Sequence, residues 1–139
     1  MYSTQADILK QISEAELIQL TNDTVGATTI DDVNEAKARL DADEEIDSYL
    51  RKRYSLPLDP VPSRLNKLSV DIALYNLYGR RQRTPEDVRI RYKDAIAFLK
   101  AVADGTASLG EDTPGTPAGT PVNITSEDRI FSRSKLSDF

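Results

Sequence analysis

The run Asp41-Ala42-Asp43-Glu44-Glu45-Ile46-Asp47 holds the densest carboxylates in the chain. Alternating acids supply oxygen ligands to calcium when the backbone is irregular and a glycine stands at the sixth loop position. Here Ile46 holds that position, and the run lies inside a helical pattern, where acids two apart do not face each other. It reads as a solvated helix face, not a metal loop.

A second group is cationic: Arg51, Lys52, Arg53, Arg64, Lys67, Arg80, Arg81 and Arg83. Such a set can neutralise phosphates. No helix-turn-helix spacing, zinc pattern or RNA-binding aromatic motif accompanies it. Many of these bases stand where helices should end, where cations satisfy terminal carbonyls and the helix dipole. Arg51, Arg53, Arg80, Arg81 and Arg83 are therefore assigned to helix ends and to subunit or partner contact. Direct nucleic-acid binding through the basic middle is the alternative.

A third group, Tyr49, Tyr54, Tyr75, Tyr78 and Tyr92, recurs on the inward sides of helical patterns and reads as core or interface residues with tethered hydroxyls rather than catalytic acids. Asp71 is expected to be half-buried, paired with Arg64 or Arg91. Histidine and cysteine are absent from the 139 residues, which removes the commonest general base, the thiolate nucleophile and the disulfide. There is no glycine-rich phosphate loop and no nucleophile elbow. The expectation is a protein that is not an enzyme and holds no metal or cofactor.

The elements that position these groups follow from caps and periodicity. Thr4 can cap ADILKQ, and Ser13 can cap EAELIQL with Glu16 at the capping-box position. Thr21 to Thr29 is a polar connector. A longer helix is predicted from Asp31 or Asp32 to about Arg53, with Val33, Ala36, Leu40, Ile46, Leu50 and Tyr54 as its stripe. Glu35 with Arg39, and Asp47 with Arg51, stand four apart with the acid first. Pro57, Pro60 and Pro62 force a corner. Ser63 then caps a helix to about Gly79, apolar on most sides and so buried between others. Thr84-Pro85 starts the last helix, with Val88, Tyr92, Ala95, Ile96, Leu99 and Val102 as its stripe and Gly105 as its stop.

The fold class is all-α: a small helical bundle of four to five helices around a buried central helix, with an extended C-terminal tail. Residues 1–110 form the helical domain. The Thr/Pro/Gly-rich stretch 111–121 is a linker, and 122–139 is a docking tail bearing Ile130, Phe131, Leu136 and Phe139 as contact residues.

No apolar run is long enough to span a bilayer, and the opening lacks the basic and apolar regions of a secretory signal, so the chain is expected to stay soluble inside the cell. The net charge of −5 is uneven. Residues 1–50 carry twelve acids against three bases, whereas residues 51–100 carry twelve bases against five acids. Such a molecule can attract copies of itself head to tail, or turn one surface to nucleic acid.

The segments MYSTQADILKQISEAELIQLT, EIDSYLRKRYSLPL, VPSRLNKLSVDIALYNLYGRR, RYKDAIAFLKAVADGTASLG and RIFSRSKLSDF, in that order, resemble a family of Mu-like bacteriophage and prophage proteins of the head-tail connector or head-completion type. The most specific piece is YLRKRYSLPL followed by DIALYNLYGRR, and the next is FSRSKL. The resemblance implies a structural virion protein without catalysis, metal or cofactor. Its subunits would form a ring, typically twelve-fold, in the neck below the portal protein. DNA would pass through the lumen without sequence readout, and a tail-side completion or terminator protein would dock on the far side. The host cytoplasm would be the site of assembly, with no membrane involved.

Overall fold

Thr4 opens the chain's first helix through a complete capping box. Its Oγ1 accepts from the Asp7 N–H, and the Asp7 carboxylate accepts from the Thr4 N–H at 3.0 Å. In the computed structural model, which describes residues 1–110, five helices follow in order: α1 (Gln5–Leu9), α2 (Glu14–Thr21), α3 (Asp32–Leu50), α4 (Ser63–Arg80) and α5 (Glu86–Asp104). The described residues are thus all-α, a helical bundle as expected. The linker and the docking tail lie outside the described residues.

Helix α4 is the centre. Leu65, Leu68, Val70, Ile72, Ala73, Leu74, Leu77 and Tyr78 are buried, and they point to most sides of it. The helix packs against each of the other four. Asp43 meets Ser69 while Ala38 meets Asn76, so α3 and α4 are antiparallel. Arg64 meets Phe98 while Tyr75 meets Tyr92, so α4 and α5 are antiparallel too. Each fully buried large aliphatic side chain contributes roughly 1.5–3 kcal/mol; Ile46, Leu50, Leu65, Ile72, Leu77 and Leu99 form the heart of this core.

Three local expectations shift. The interior row of α3 is Glu35, Ala38, Ala42, Asp43, Ile46 and Leu50, whereas Val33 is 79% and Leu40 45% exposed. The inward row is built on alanines, which let α3 approach α4 closely, so hydrophobicity alone selects the wrong face over the first half. Second, Ser63 and Thr84 do not cap. The N-cap positions fall to Pro62 and Pro85, with no side-chain bond at either. Third, Gly79 stays inside α4. The chain leaves the helix in a Schellman arrangement, with Arg83 N–H bonded to Tyr78 O and Gln82 N–H to Gly79 O, so the left-handed residue is Gln82 at φ 54°. At the end of α5 the same arrangement falls on Gly105, as expected, at φ 88°.

The N-terminal segment is tied into this frame by buried polar groups. Ser69 Oγ donates to Asp43 Oδ1 at 2.7 Å, and Ser3 Oγ lies 2.7 Å from Ser69 Oγ. A hydroxyl carries one proton, so Ser3 is the donor to Ser69. The Tyr2 N–H completes the set by donating to Asp43 Oδ2 at 2.9 Å.

Candidate functional site

The five arginines assigned from the sequence divide between the two ends of α4. At one end Arg53 follows α3, and its Nη1 donates to the carbonyls of Val102 at 3.1 Å and Ala107 at 3.2 Å, closing the C-terminus of α5. Lys52 adds an exposed bridge to Asp104. At the other end Arg80 Nη1 donates to the carbonyls of Leu20 and Thr21, and its Nη2 to Asp23 at 2.6 Å. Arg81 Nη2 donates to the Asn22 carbonyl at 2.6 Å, and its Nη1 pairs with Asp23 at 3.0 Å. Together they close the C-terminus of α2.

The helix-end reading therefore holds for Arg53, Arg80 and Arg81, with one difference. Each closes a neighbouring helix rather than its own. Arg51 and Arg83 are exposed, and neither pairs with a carboxylate among the described residues. The 18 residues of α4 separate the two corners by about 27 Å. A basic stretch continuous in sequence is thus not one patch in space. Ile130, Phe131, Leu136 and Phe139 lie outside the described residues.

Between the α2–α3 connector and the α4–α5 turn runs an open groove of about 1120 Å³, lined by residues that include Leu20, Val25, Tyr78, Arg81 and Arg83. In its wall the Tyr78 hydroxyl donates to Glu16. Glu16 stands at the capping-box position of α2, where the Ser13 hydroxyl does accept from its N–H, but its carboxylate turns to Tyr78 instead of back to the cap. Burial and that bond hold the Tyr78 proton well above the ordinary tyrosine range.

Tyr54, Tyr78 and Tyr92 have tethered hydroxyls, while Tyr49 and Tyr75 pack half-buried against the core with no hydroxyl bond among the described residues. Tyr75 and Tyr92 stack at 3.9 Å between centroids and 8° between planes. Tyr92 donates to Glu45 at 3.0 Å, and burial with this bond pushes its pKa up to about 12. The Tyr54 hydroxyl accepts from the Leu109 N–H at 3.4 Å. Asp71 is buried beyond expectation. Lys67 Nζ lies 2.5 Å from it and Arg91 3.9 Å, while Arg64 instead stacks over Phe98 at 3.9 Å.

The acidic run of α3 is not uniformly a solvated face. Glu44 is exposed, but Asp43 is buried in the Ser69 network. Asp47 accepts from the Tyr2 hydroxyl and is not ion-paired with Arg51. The expected pair of Glu35 and Arg39 does form, with two bonds of 2.6 and 2.9 Å that neutralise a fully buried carboxylate. Among the described residues no cluster of three or more potential ligands could hold a metal ion. Sequence reasoning missed the set of Tyr2, Ser3, Asp43 and Ser69. Its one visible signal was a serine and an acid set among positions that should be apolar.

Fold and site together define a class: a small all-α module whose buried polar side chains position its own helices. Within that class the chain belongs to the bacteriophage Mu gp36 family, whose model matches residues 2–126. It is similar to the Mu-like prophage FluMu protein gp36 of Haemophilus influenzae, at 36% identity over 79% of this chain and 76% of the relative. It is also similar to gene product J of Escherichia phage Mu, at 30% identity over 96% of each. No helix among the described residues is long and apolar enough to cross a membrane.

Proposed function

We propose that the chain is a structural subunit of the phage particle, a head-tail connector that forms a ring between portal and tail and extends the DNA channel. Membership in the Mu gp36 family carries this reading. The geometry supports it. Arg53, Arg80, Arg81, Glu35 and Asp43 are all engaged within the domain, which makes a rigid block. Its partners are further copies of itself, the portal on one side and a completion or terminator protein on the other, and DNA crosses the lumen without base readout. The ring sits in the virion neck. Residues 122–139 dock outside their own domain, on a neighbouring copy or partner.

Imaging of particles assembled with and without the chain tests this. A ring of density at the head-tail junction should vanish when the chain is withheld, and an unchanged neck would overturn the reading. Deleting residues 112–139 should leave a folded domain that no longer joins particles. The nucleic-acid alternative would use the exposed Arg51 and Arg83. Steeply salt-dependent binding to short duplexes would favour it, but the distance between the two basic corners weighs against a continuous phosphate track.

A further inference from the structure

The open groove between the α2–α3 connector and the α4–α5 turn has the size and make-up of a peptide site. At about 1120 Å³ it exceeds the roughly 300–1,000 Å³ usual for small-molecule pockets. Leu20, Ala27, Tyr78 and Pro85 give it an apolar side, and Val25, which also lines it, is 100% exposed. Of the charged side chains in its lining, Glu16 accepts from Tyr78, and Asp23 pairs with Arg81. Arg83 alone among them meets no carboxylate of the described residues. It follows Gln82, whose left-handed backbone at φ 54° is a strain of the kind that collects at binding sites.

The chain itself supplies a matching segment. In an extended peptide, successive side chains alternate between two faces. Over residues 128–138 one face would be Asp128, Ile130, Ser132, Ser134, Leu136 and Asp138: two aliphatics, two small hydroxyls and two acids, with no base. The other would carry all three bases, Arg129, Arg133 and Lys135, together with Phe131. The first face suits an apolar groove holding one uncommitted arginine, and the second keeps its cations in water. The described chain ends beside the C-terminus of α3, where the Leu109 N–H donates to Tyr54 and Arg53 to the Ala107 carbonyl. The groove lies at the other end of α5, whose 19 residues span about 28 Å. Residues 111–127 reach up to about 56 Å, twice that length. An internal return would lay them along a largely polar side of α5 that exposes Lys93, Asp94 and Lys100.

We propose that this groove receives residues 128–138 of a neighbouring copy, with Ile130 and Leu136 on its apolar side and Asp128 against Arg83. Donor segment and receiving groove start from opposite ends of the protomer. Each copy therefore gives its segment to one neighbour and receives that of the other, a heterologous contact of the kind that closes rings. This docking rests on the ring reading above and names the surface on which residues 122–139 are held.

The chain has no cysteine, so thiols can be placed selectively in the full protein. Particles carrying Val25→Cys with Ile130→Cys are treated with a short thiol-to-thiol crosslinker. A ladder of covalent oligomers is expected, and nothing beyond dimers from either single variant. Replacing Val25→Cys by Leu40→Cys, on the outer side of α3, should weaken the ladder at least about tenfold, because only the docked segment is held at high local concentration. Adding Arg83→Glu to the first pair should weaken it about tenfold as well, and Asp128→Arg on top of that should restore it. Circular dichroism should show unchanged helix, since Val25, Leu40 and Arg83 are exposed. Crosslinks confined to monomers would put the segment in its own groove and overturn the exchange between copies. No ladder, a ladder equally strong through Leu40→Cys, or one indifferent to Arg83→Glu would overturn the docking, while a neck ring seen in the same particles leaves the connector reading standing. Absence of any neck ring would overturn both.

Discussion

At Asp43 a carboxylate sits at 7% exposure and accepts from the Ser69 hydroxyl and the Tyr2 N–H. One residue further on, Glu44 is exposed to solvent. Removing the first leaves the buried Ser69 hydroxyl and the half-buried Tyr2 N–H without that acceptor, and removing the second leaves nothing unpaired. Asp43→Ala should therefore destabilise the protein by about 2–4 kcal/mol, and Glu44→Ala by no more than about 0.5 kcal/mol. Urea unfolding of the two variants compares them directly; equal midpoints would mean the Asp43 network contributes little. The difference between these neighbours was not legible in the sequence. Both are acids in an acidic run, and only the phase of α3 relative to α4 decides which one faces Ser69. Glu35 with Arg39 was legible, because a pair four residues apart needs nothing beyond the helix itself.

Among the elements, the helix ends show how local and distant signals divide. Gly105 was readable as the stop of α5, because a left-handed residue is most easily supplied by glycine. The stop of α4 demands the same conformation but receives it from Gln82, three residues past the glycine that suggested itself. Gln82→Gly should raise stability by about 0.5–1 kcal/mol, since relief of the left-handed cost exceeds the entropy glycine adds to the unfolded chain. A thermal melt reads this, and a lower midpoint would count against the strain. Arg80→Met should cost about 1–2 kcal/mol by releasing the Leu20 and Thr21 carbonyls. Hydrogen exchange should then quicken at the end of α2 before the rest of the bundle; uniform exchange would show that Arg80 does not hold that terminus.

For the molecule as a whole, the missing histidine and the tethered tyrosines shape the response to pH. Burial and the carboxylates Asp47, Glu16 and Glu45 raise the hydroxyls of Tyr2, Tyr78 and Tyr92 above the ordinary value of 10. A raised pKa favours the protonated form in the fold. Its contribution is complete below about pH 10 and is lost as pH rises through the folded values. Asp7 is shifted the other way by Asn66, Lys10 and Thr4, so its contribution is present above about pH 4 and is lost as pH falls. Stability should be nearly flat between about pH 6 and 9, then fall above pH 10 in step with tyrosinate absorbance. Urea midpoints across that range check it, and a step between about pH 6 and 7, where a histidine would titrate, would refute the account.

The sequence by itself determined the all-α class, the buried central helix, the stripe of α5 and the proline corner. Each depends on periodicity, on backbone stereochemistry or on interactions within a turn or two. It also carried the family, through the order of its segments. Tertiary structure alone decided which face of α3 turns inward, where the arginines of one basic stretch end up, and that acids such as Asp43 and Asp71 become buried. Those outcomes depend on contacts between residues 20 to 60 positions apart. Such contacts are set by how helices pack, and small alanines and buried carboxylates on α3 carry too weak a hydrophobic signal to announce that packing in advance.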